Sequence, residues 1–231
     1  MITPSQKTNL AAHPDCRRAA FFDVDNTLIR GQAIEIRFFR HLWEKGLVGT
    51  SEAARSLWFL LRHLPPLSLR PLRERKLYLE GKRPADIEPL AEEFIRAAIS
   101  PRLLSDGLAA LESHRRAGHC LVLITGSLDF LIAPLAGRLN VDRVLAAIPE
   151  RRGGVYTGQV LSPYPYGAGK RQLIESFAEE TAIELKESFA YGDSPSDVET
   201  LRLVGHPLVV NPIRGMERIA RRQGWPIAKW K

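Results

Sequence analysis

The chain has 231 residues, of which 45% are hydrophobic and 26% charged, a balance that excludes a disordered or fibrous protein and supplies enough apolar side chains for a sizeable core. Lysine and arginine number 33 against 26 aspartates and glutamates, a formal charge of +7, which favours anionic partners without naming one. Two cysteines, Cys16 and Cys120, are too few for a disulfide framework, and no window reaches the roughly 18 uninterrupted apolar residues of a membrane-spanning helix.

Residues 1–18 hold no apolar stretch of signal-peptide length, so a reducing, cytoplasmic setting is expected, with Cys120 as a buried thiol. The first element is the apolar run at 19–22, which reads as a buried strand ending at Asp23. From about 32 to 100 the pattern is helix-rich and holds no convincing strand. It separates the first strand from the next by far more than one crossover helix requires, so it reads as an inserted helical domain in a core made of 1–31 and 101–231. Within the insert, 57–61 is densely apolar, Pro65-Pro66 ends that element, and 70–81 reads as a basic helix. Two readings compete for 57–61: a helix buried in the insert's own bundle, which is favoured, and a surface for an acyl or prenyl chain or for anionic lipid.

After the insert, 103–117 has helical spacing and stops at Gly118. A second buried strand, 120–124, runs into Thr125-Gly126. Residues 128–139 read as a helix with Ser127 as N-cap and Pro134 as a possible kink, 143–148 as a further strand, and 155–160 as a hairpin arm. Helices over 170–179 and 197–204 flank a strand at 188–191 that runs into Gly192-Asp193, and a last strand at 208–210 precedes Asn211. Short apolar runs alternating with helices predict a parallel, doubly wound α/β sheet, whose ligands bind beyond the carboxyl ends of the strands. In the tail, Ile213, Met216, Ile219 and Ala220 recur at helical spacing. The arginines there read as the wet face of a docked helix, Trp225 and Trp230 as pins of the C-terminus, and nucleic acid is not expected as a partner. The charge is localised: residues 55–83 hold eight Lys or Arg against two Glu, and 214–231 six against one.

Asp23-Val24-Asp25 places two carboxylates at the end of a buried strand. Thr125-Gly126 follows the second strand, Lys170 opens a later helix, and Gly192-Asp193-Ser194-Pro195-Ser196-Asp197 follows another strand. In order and local context these four pieces resemble the signatures of the haloacid dehalogenase (HAD) superfamily, over nearly the whole chain from Ala19 onward. The insertion between the first and second signatures, with Gly169-Lys170 and Ala190-Tyr191-Gly192-Asp193, is most similar to the phosphoserine phosphatase-like branch, subfamily IB.

The resemblance implies a Rossmann-like core with a helical cap, and Mg2+-dependent hydrolysis of a small phosphorylated metabolite through an aspartyl-phosphate. In that chemistry Asp23 is the nucleophile and Asp25 the general acid and then base. Asp23, the Asp25 carbonyl and Asp193 hold the hard cation that two carboxylates and a phosphate require. Thr125, Gly126 and Lys170 bind phosphoryl oxygens, and Asp197 orients Lys170 or a metal-bound water, or serves as an N-cap.

Substrate recognition departs from the branch. By direct spacing, the family's ammonium-recognising Glu falls at Gln32, with Glu35 one turn on as a substitute. The cap Arg falls at Arg73, Arg75 or Lys76, and the Asn of the last signature is Ser196. The substrate class is therefore kept at small phosphomonoesters. Alternatives are phosphoryl transfer to an alcohol, a lipid or prenyl phosphate as substrate, and a binding module without activity, although the last is expected to have lost a carboxylate that this chain retains.

Overall fold

Each short apolar run forms a strand because both faces of the sheet are covered, so that alternate side chains enter two different cores. In the computed structural model, which describes residues 16–52, 54–55, 58 and 75–231, strand β1 (Ala19–Phe22) is buried at every position. Ala20 and Phe22 enter one hydrophobic cluster with Leu121, Leu123 and, from between the first two strands, Ile34, Phe38, Leu42 and Phe94. Ala19 and Phe21 enter the other with Val122, Ile124, Ile174, Phe177, Leu201 and Met216.

The remaining strands are β2 (Cys120–Leu128), β3 (Arg143–Ala147), β4 (Pro149–Arg152), β5 (Val155–Val160), β6 (Phe189–Gly192), β7 (His206–Val210) and β8 (Ile227–Ala228). Six form a parallel sheet in the order β3-β2-β1-β6-β7-β8, while β4 and β5 form an antiparallel hairpin. β1 is therefore central, between β2 and β6. Phe22 is level with Leu123 on one side and Tyr191 on the other, which brings Asp23, Thr125 and Asp193 to one edge of the sheet. This is the crevice that strand order creates in doubly wound sheets.

Helices α1 (Ile34–Glu44), α2 (Pro84–Ile87) and α3 (Pro89–Phe94) lie between β1 and β2, followed by α4 (Ser105–Arg116). Further helices are α5 (Asp129–Leu139), α6 (Ala168–Thr181), α7 (Val198–Leu203) and α8 (Met216–Gln223). In α8, Met216 and Ala220 are buried and Arg218, Arg221 and Arg222 are exposed, the docked helix expected of the tail. Trp230 packs on Tyr191 at 5.3 Å between ring centroids.

The structure corrects several expectations. The helix expected over 70–81 does not continue through its described part: 77–79 is a single 3-10 turn. Its backbone donors are taken by the hairpin, Lys76 N–H donating to the Gly158 carbonyl at 2.7 Å and Gly81 N–H to that of Tyr156 at 2.9 Å, so they are unavailable for i−4 bonding. Ser127 is not an N-cap, because β2 runs on to Leu128 through an irregular register between Thr125 and Leu128. Nor are the cysteines free: Cys16 and Cys120 form a disulfide. The parallel register sets Ala19 beside Cys120, and Cys120 N–H donates to the Arg18 carbonyl at 2.9 Å, leaving a Cα–Cα distance of 5.8 Å, within bridging range. That bond and a reducing setting pull in opposite directions. Of the apolar segment 57–61, only Trp58 is described, and it is 64% exposed. Arg73 and Pro65-Pro66 lie outside the described residues. Among those residues no helix is long and apolar enough to cross a membrane.

Candidate active site

Asp23 leaves β1 with its N–H still donating to the Tyr191 carbonyl at 3.0 Å, so its backbone is held by the neighbouring strand. Lys170 reaches it from the first turn of α6 and is 1% exposed. The Lys170 ammonium donates to Asp23 Oδ1 at 2.6 Å, to Asp197 Oδ1 at 2.6 Å and to the Ile124 carbonyl at 3.1 Å. Its three donors thus meet three acceptors, one from each of three separate segments. The entry to α6 requires glycine: a Cβ on Gly169 would lie 1.8 Å from the Tyr164 carbonyl oxygen.

Asp197 orients Lys170, one of the roles weighed for it, but the N-cap is Ser194, with Asp197 three residues on as its partner. Its Oδ2 accepts from the N–H groups of Asp193 and Ser194, at 3.2 and 3.0 Å, and from the Ser194 hydroxyl at 3.1 Å, closing a capping box. Its Oδ1 holds Lys170. Ser196 faces Ser194, hydroxyl to hydroxyl at 2.7 Å.

Asp25 sits in a loop folded back on itself, with Leu28 and Ile29 N–H both donating to the Val24 carbonyl. Its Oδ1 accepts from Ile34 N–H at 2.8 Å and its Oδ2 from the Ser127 hydroxyl at 3.3 Å. Thr125 is buried, and its Oγ1 accepts from Ser127 N–H at 3.1 Å, which leaves the hydroxyl proton to donate. The Tyr164 hydroxyl donates to the Gly126 carbonyl at 3.3 Å.

Residues outside the expected site groups complete the ring. Asn26, in the left-handed region at φ 60°, donates from Nδ2 to Asp193 Oδ2 and to the Asn211 carbonyl, each at 3.0 Å. An Asn directly after the acidic pair, a residue type that tolerates this conformation, was the available clue; Ser127 and Tyr164 had none.

Electrostatically the cluster is short of positive charge. Burial pushes the Asp23 carboxyl well above its ordinary range, against the pull of Lys170. Burial likewise raises Asp25, partly offset by the Ile34 N–H, and lifts Asp193 to about 7, with Asp197 adding to the effect. Burial also works against the Lys170 ammonium, but Asp197 and Asp23 outweigh it and hold its pKa above the usual lysine value. Carboxylate oxygens of Asp23, Asp193 and Asp197 lie within 4.8 Å of one another. With both Asp197 oxygens already accepting protein donors, Asp23 and Asp193 are the pair available to a cation. Hard oxygen donors with excess negative charge suit a small dication such as Mg2+.

The proposed specificity residues are dispersed differently. Glu35 and Lys76 meet each other: Lys76 Nζ donates to Glu35 Oε2 at 2.6 Å and the Tyr78 hydroxyl to Oε1 at 3.1 Å. Arg75 is exposed and bridges to Gln159 of the hairpin. Gln32 lines a separate cleft of about 490 Å³ with Arg37, Arg40, His41 and Arg102.

Residues 20–202 match the family of haloacid dehalogenase-like hydrolases. A phosphoserine phosphatase of Mycobacterium tuberculosis is 30% identical over 223 residues, 94% of this chain and 72% of that protein. A histidinol-phosphatase of Neisseria meningitidis is 29% identical over 222 residues, 93% of this chain and all of that protein. Among solved structures, a Bordetella pertussis protein of unknown function superposes with a TM-score of 0.79 at 29% identity, covering 92% of this chain and 98% of that one.

Proposed function

The chain belongs to the haloacid dehalogenase-like hydrolase family and is a phosphoric monoester hydrolase, and from that premise we propose that it cleaves small phosphorylated metabolites through a phosphoaspartate on Asp23, with Mg2+ as cofactor. The observation that carries this reading is the Lys170 bridge between Asp23 and Asp197 at the carboxyl end of the central strand. It fixes one Asp23 oxygen and leaves the other to attack phosphorus.

In the first half-reaction the Asp23 carboxylate displaces the alcohol from phosphorus, and protonated Asp25 supplies the proton to the departing oxygen. The burial that raises Asp25 favours that protonated form. In the second, ionised Asp25 takes a proton from the water that attacks phosphorus, releasing phosphate and regenerating Asp23. The Thr125 hydroxyl and Gly126 N–H donate to phosphoryl oxygens, and Lys170 contributes positive charge beside the nucleophile. Mg2+, held by Asp23, Asp193 and the Asp25 carbonyl, would neutralise charge on the phosphoryl oxygens. Asn26 and Asp197 act by positioning Asp193 and Lys170.

Asp23→Asn is expected to lower turnover of phosphomonoesters with Mg2+ by about 10⁴-fold or more, the scale of losing a nucleophile, with an unchanged circular dichroism spectrum. Asp25→Asn is expected to slow both phosphoenzyme formation and its hydrolysis, by about 10²–10⁴-fold. Activity retained by the Asp23 variant would end the nucleophile assignment.

A further inference from the structure

The site carries an acidic side chain besides its aspartates, and that side chain is already spoken for. Glu35 follows Ile34, whose N–H holds Asp25 Oδ1 at 2.8 Å. Lys76, which bonds Glu35 at 2.6 Å, lies 5.6 Å from the centre of the Tyr164 ring, and the Tyr164 hydroxyl reaches the Gly126 carbonyl at 3.3 Å. The Glu35–Lys76 pair is thereby tied at one end to the segment that holds the proposed general acid and at the other, through Tyr164, to the proposed phosphate-binding glycine, so it borders the proposed site. Both Glu35 oxygens are occupied, by Lys76 and by the buried Tyr78. The Lys76 side chain is only 5% exposed. Burial alone would lower its pKa, but Glu35 reverses this and keeps it charged. A substrate ammonium approaching Glu35 would meet a carboxylate already offset by the adjacent Lys76 cation and would be repelled by that cation, while displacing it would cost a buried lysine its carboxylate partner; a substrate carboxylate would meet the same obstacle at Lys76.

We propose that Glu35 and Lys76 are specificity-determining residues that neutralise each other over the site, so that the enzyme selects phosphomonoesters whose alcohol part carries no ammonium group. This rests on the phosphatase reading and names its substrate class: monoesters of uncharged alcohols.

The test compares two near-isosteric substrates, propyl phosphate and O-phosphoethanolamine, which differ by a methyl for an ammonium. With wild-type enzyme and Mg2+, propyl phosphate is expected to have a kcat/KM about tenfold or more above that of O-phosphoethanolamine. Lys76→Met frees the Glu35 carboxylate and is expected to move that ratio by about tenfold or more towards the ammonium substrate. The double variant Glu35→Gln with Lys76→Met, which buries no unpaired charge, is expected to lose that gain. Should turnover of either probe be below detection, its competitive inhibition of p-nitrophenyl phosphate hydrolysis gives the same ordering.

A wild-type preference for O-phosphoethanolamine, or none, overturns the proposal without needing a folded variant. So does a ratio unmoved in folded Lys76→Met. Absence of hydrolysis of all three phosphates would instead overturn the phosphatase reading beneath it.

Discussion

His114, on α4, has both ring nitrogens engaged: Nδ1 lies 2.8 Å from His119 Nδ1 and Nε2 2.7 Å from the Tyr191 hydroxyl. A neutral ring serves both contacts, donating through one nitrogen and accepting through the other. Burial, and then the neighbouring His119, push its pKa down to about 4. The sign follows from proton linkage. The unfolded chain takes up this proton near the ordinary histidine value of about 6.5, so the contribution to stability is complete above that pH and is lost as pH falls from there through about 4. His114→Gln is expected to be less stable than wild type at pH 7.5, with the difference shrinking between pH 6.5 and 4 in urea titrations. A difference that stays constant over that window would remove the assignment.

At the scale of elements, the turn after β6 depends on close contact. A Cβ on Gly192 would lie 2.5 Å from Asp197 Cβ and 2.7 Å from its Cγ, because Asp197 folds back over the strand end to hold Asp193, Ser194 and Lys170. Gly192→Ala must displace Asp197, and with it the lysine. The expected cost is about 1–3 kcal/mol of stability from overpacking and about 10²-fold in kcat from misplacing a site group by an ångström or so. Thermal melts and steady-state kinetics measure both. A variant with wild-type kcat would mean that the Asp197–Lys170 contact does not position the nucleophile. The hairpin shows the same dependence on neighbours: its carbonyls at Tyr156 and Gly158 capture the donors of Gly81 and Lys76, replacing an expected helix by a bridge at Arg75 and a single 3-10 turn over 77–79 that leave Lys76 against Glu35.

For the molecule as a whole, the candidate site lies where the helices between β1 and β2 share one hydrophobic cluster with the sheet, so ligand binding there is coupled to global stability. If Mg2+ binds only the folded chain, a concentration a hundredfold above its Kd stabilises by about 2.7 kcal/mol, which for a chain of this size is a rise in Tm of about 5–11 °C. Asp193→Asn is expected to abolish that rise in calorimetry with Mg2+ against EDTA. An undiminished rise in the variant would place the cation elsewhere. The basic tail belongs to this scale too: Arg221 bonds Glu217 on its own helix at 2.7 Å, consistent with a solvated face on a docked helix.

What the sequence determined by itself was local in origin. A strand buried on both faces must be a continuous apolar run, so β1 could be read at 19–22. The polar residues after the runs then marked Asp23 and Asp193 as strand-end groups, and Lys170 was read at the start of its helix, whereas Thr125 and Gly126 lie within β2, which runs on to Leu128, and Asp197 closes a 3-10 turn ahead of α7. Tertiary structure decided whatever depends on which strands are neighbours and in what register. Asn26 meets Asp193 across 167 positions and Ser127 meets Asp25 across 102, because β1 lies between β2 and β6. The same register joins Cys16 to Cys120. Glu35 finds Lys76 across 41 positions because a hairpin from the distant end of the core holds the chain around Lys76 in place. Spacing along the chain encodes periodicity, whereas a hydrogen bond between distant segments is fixed only when their backbones are docked, and it is at that level that the charge over the site is settled.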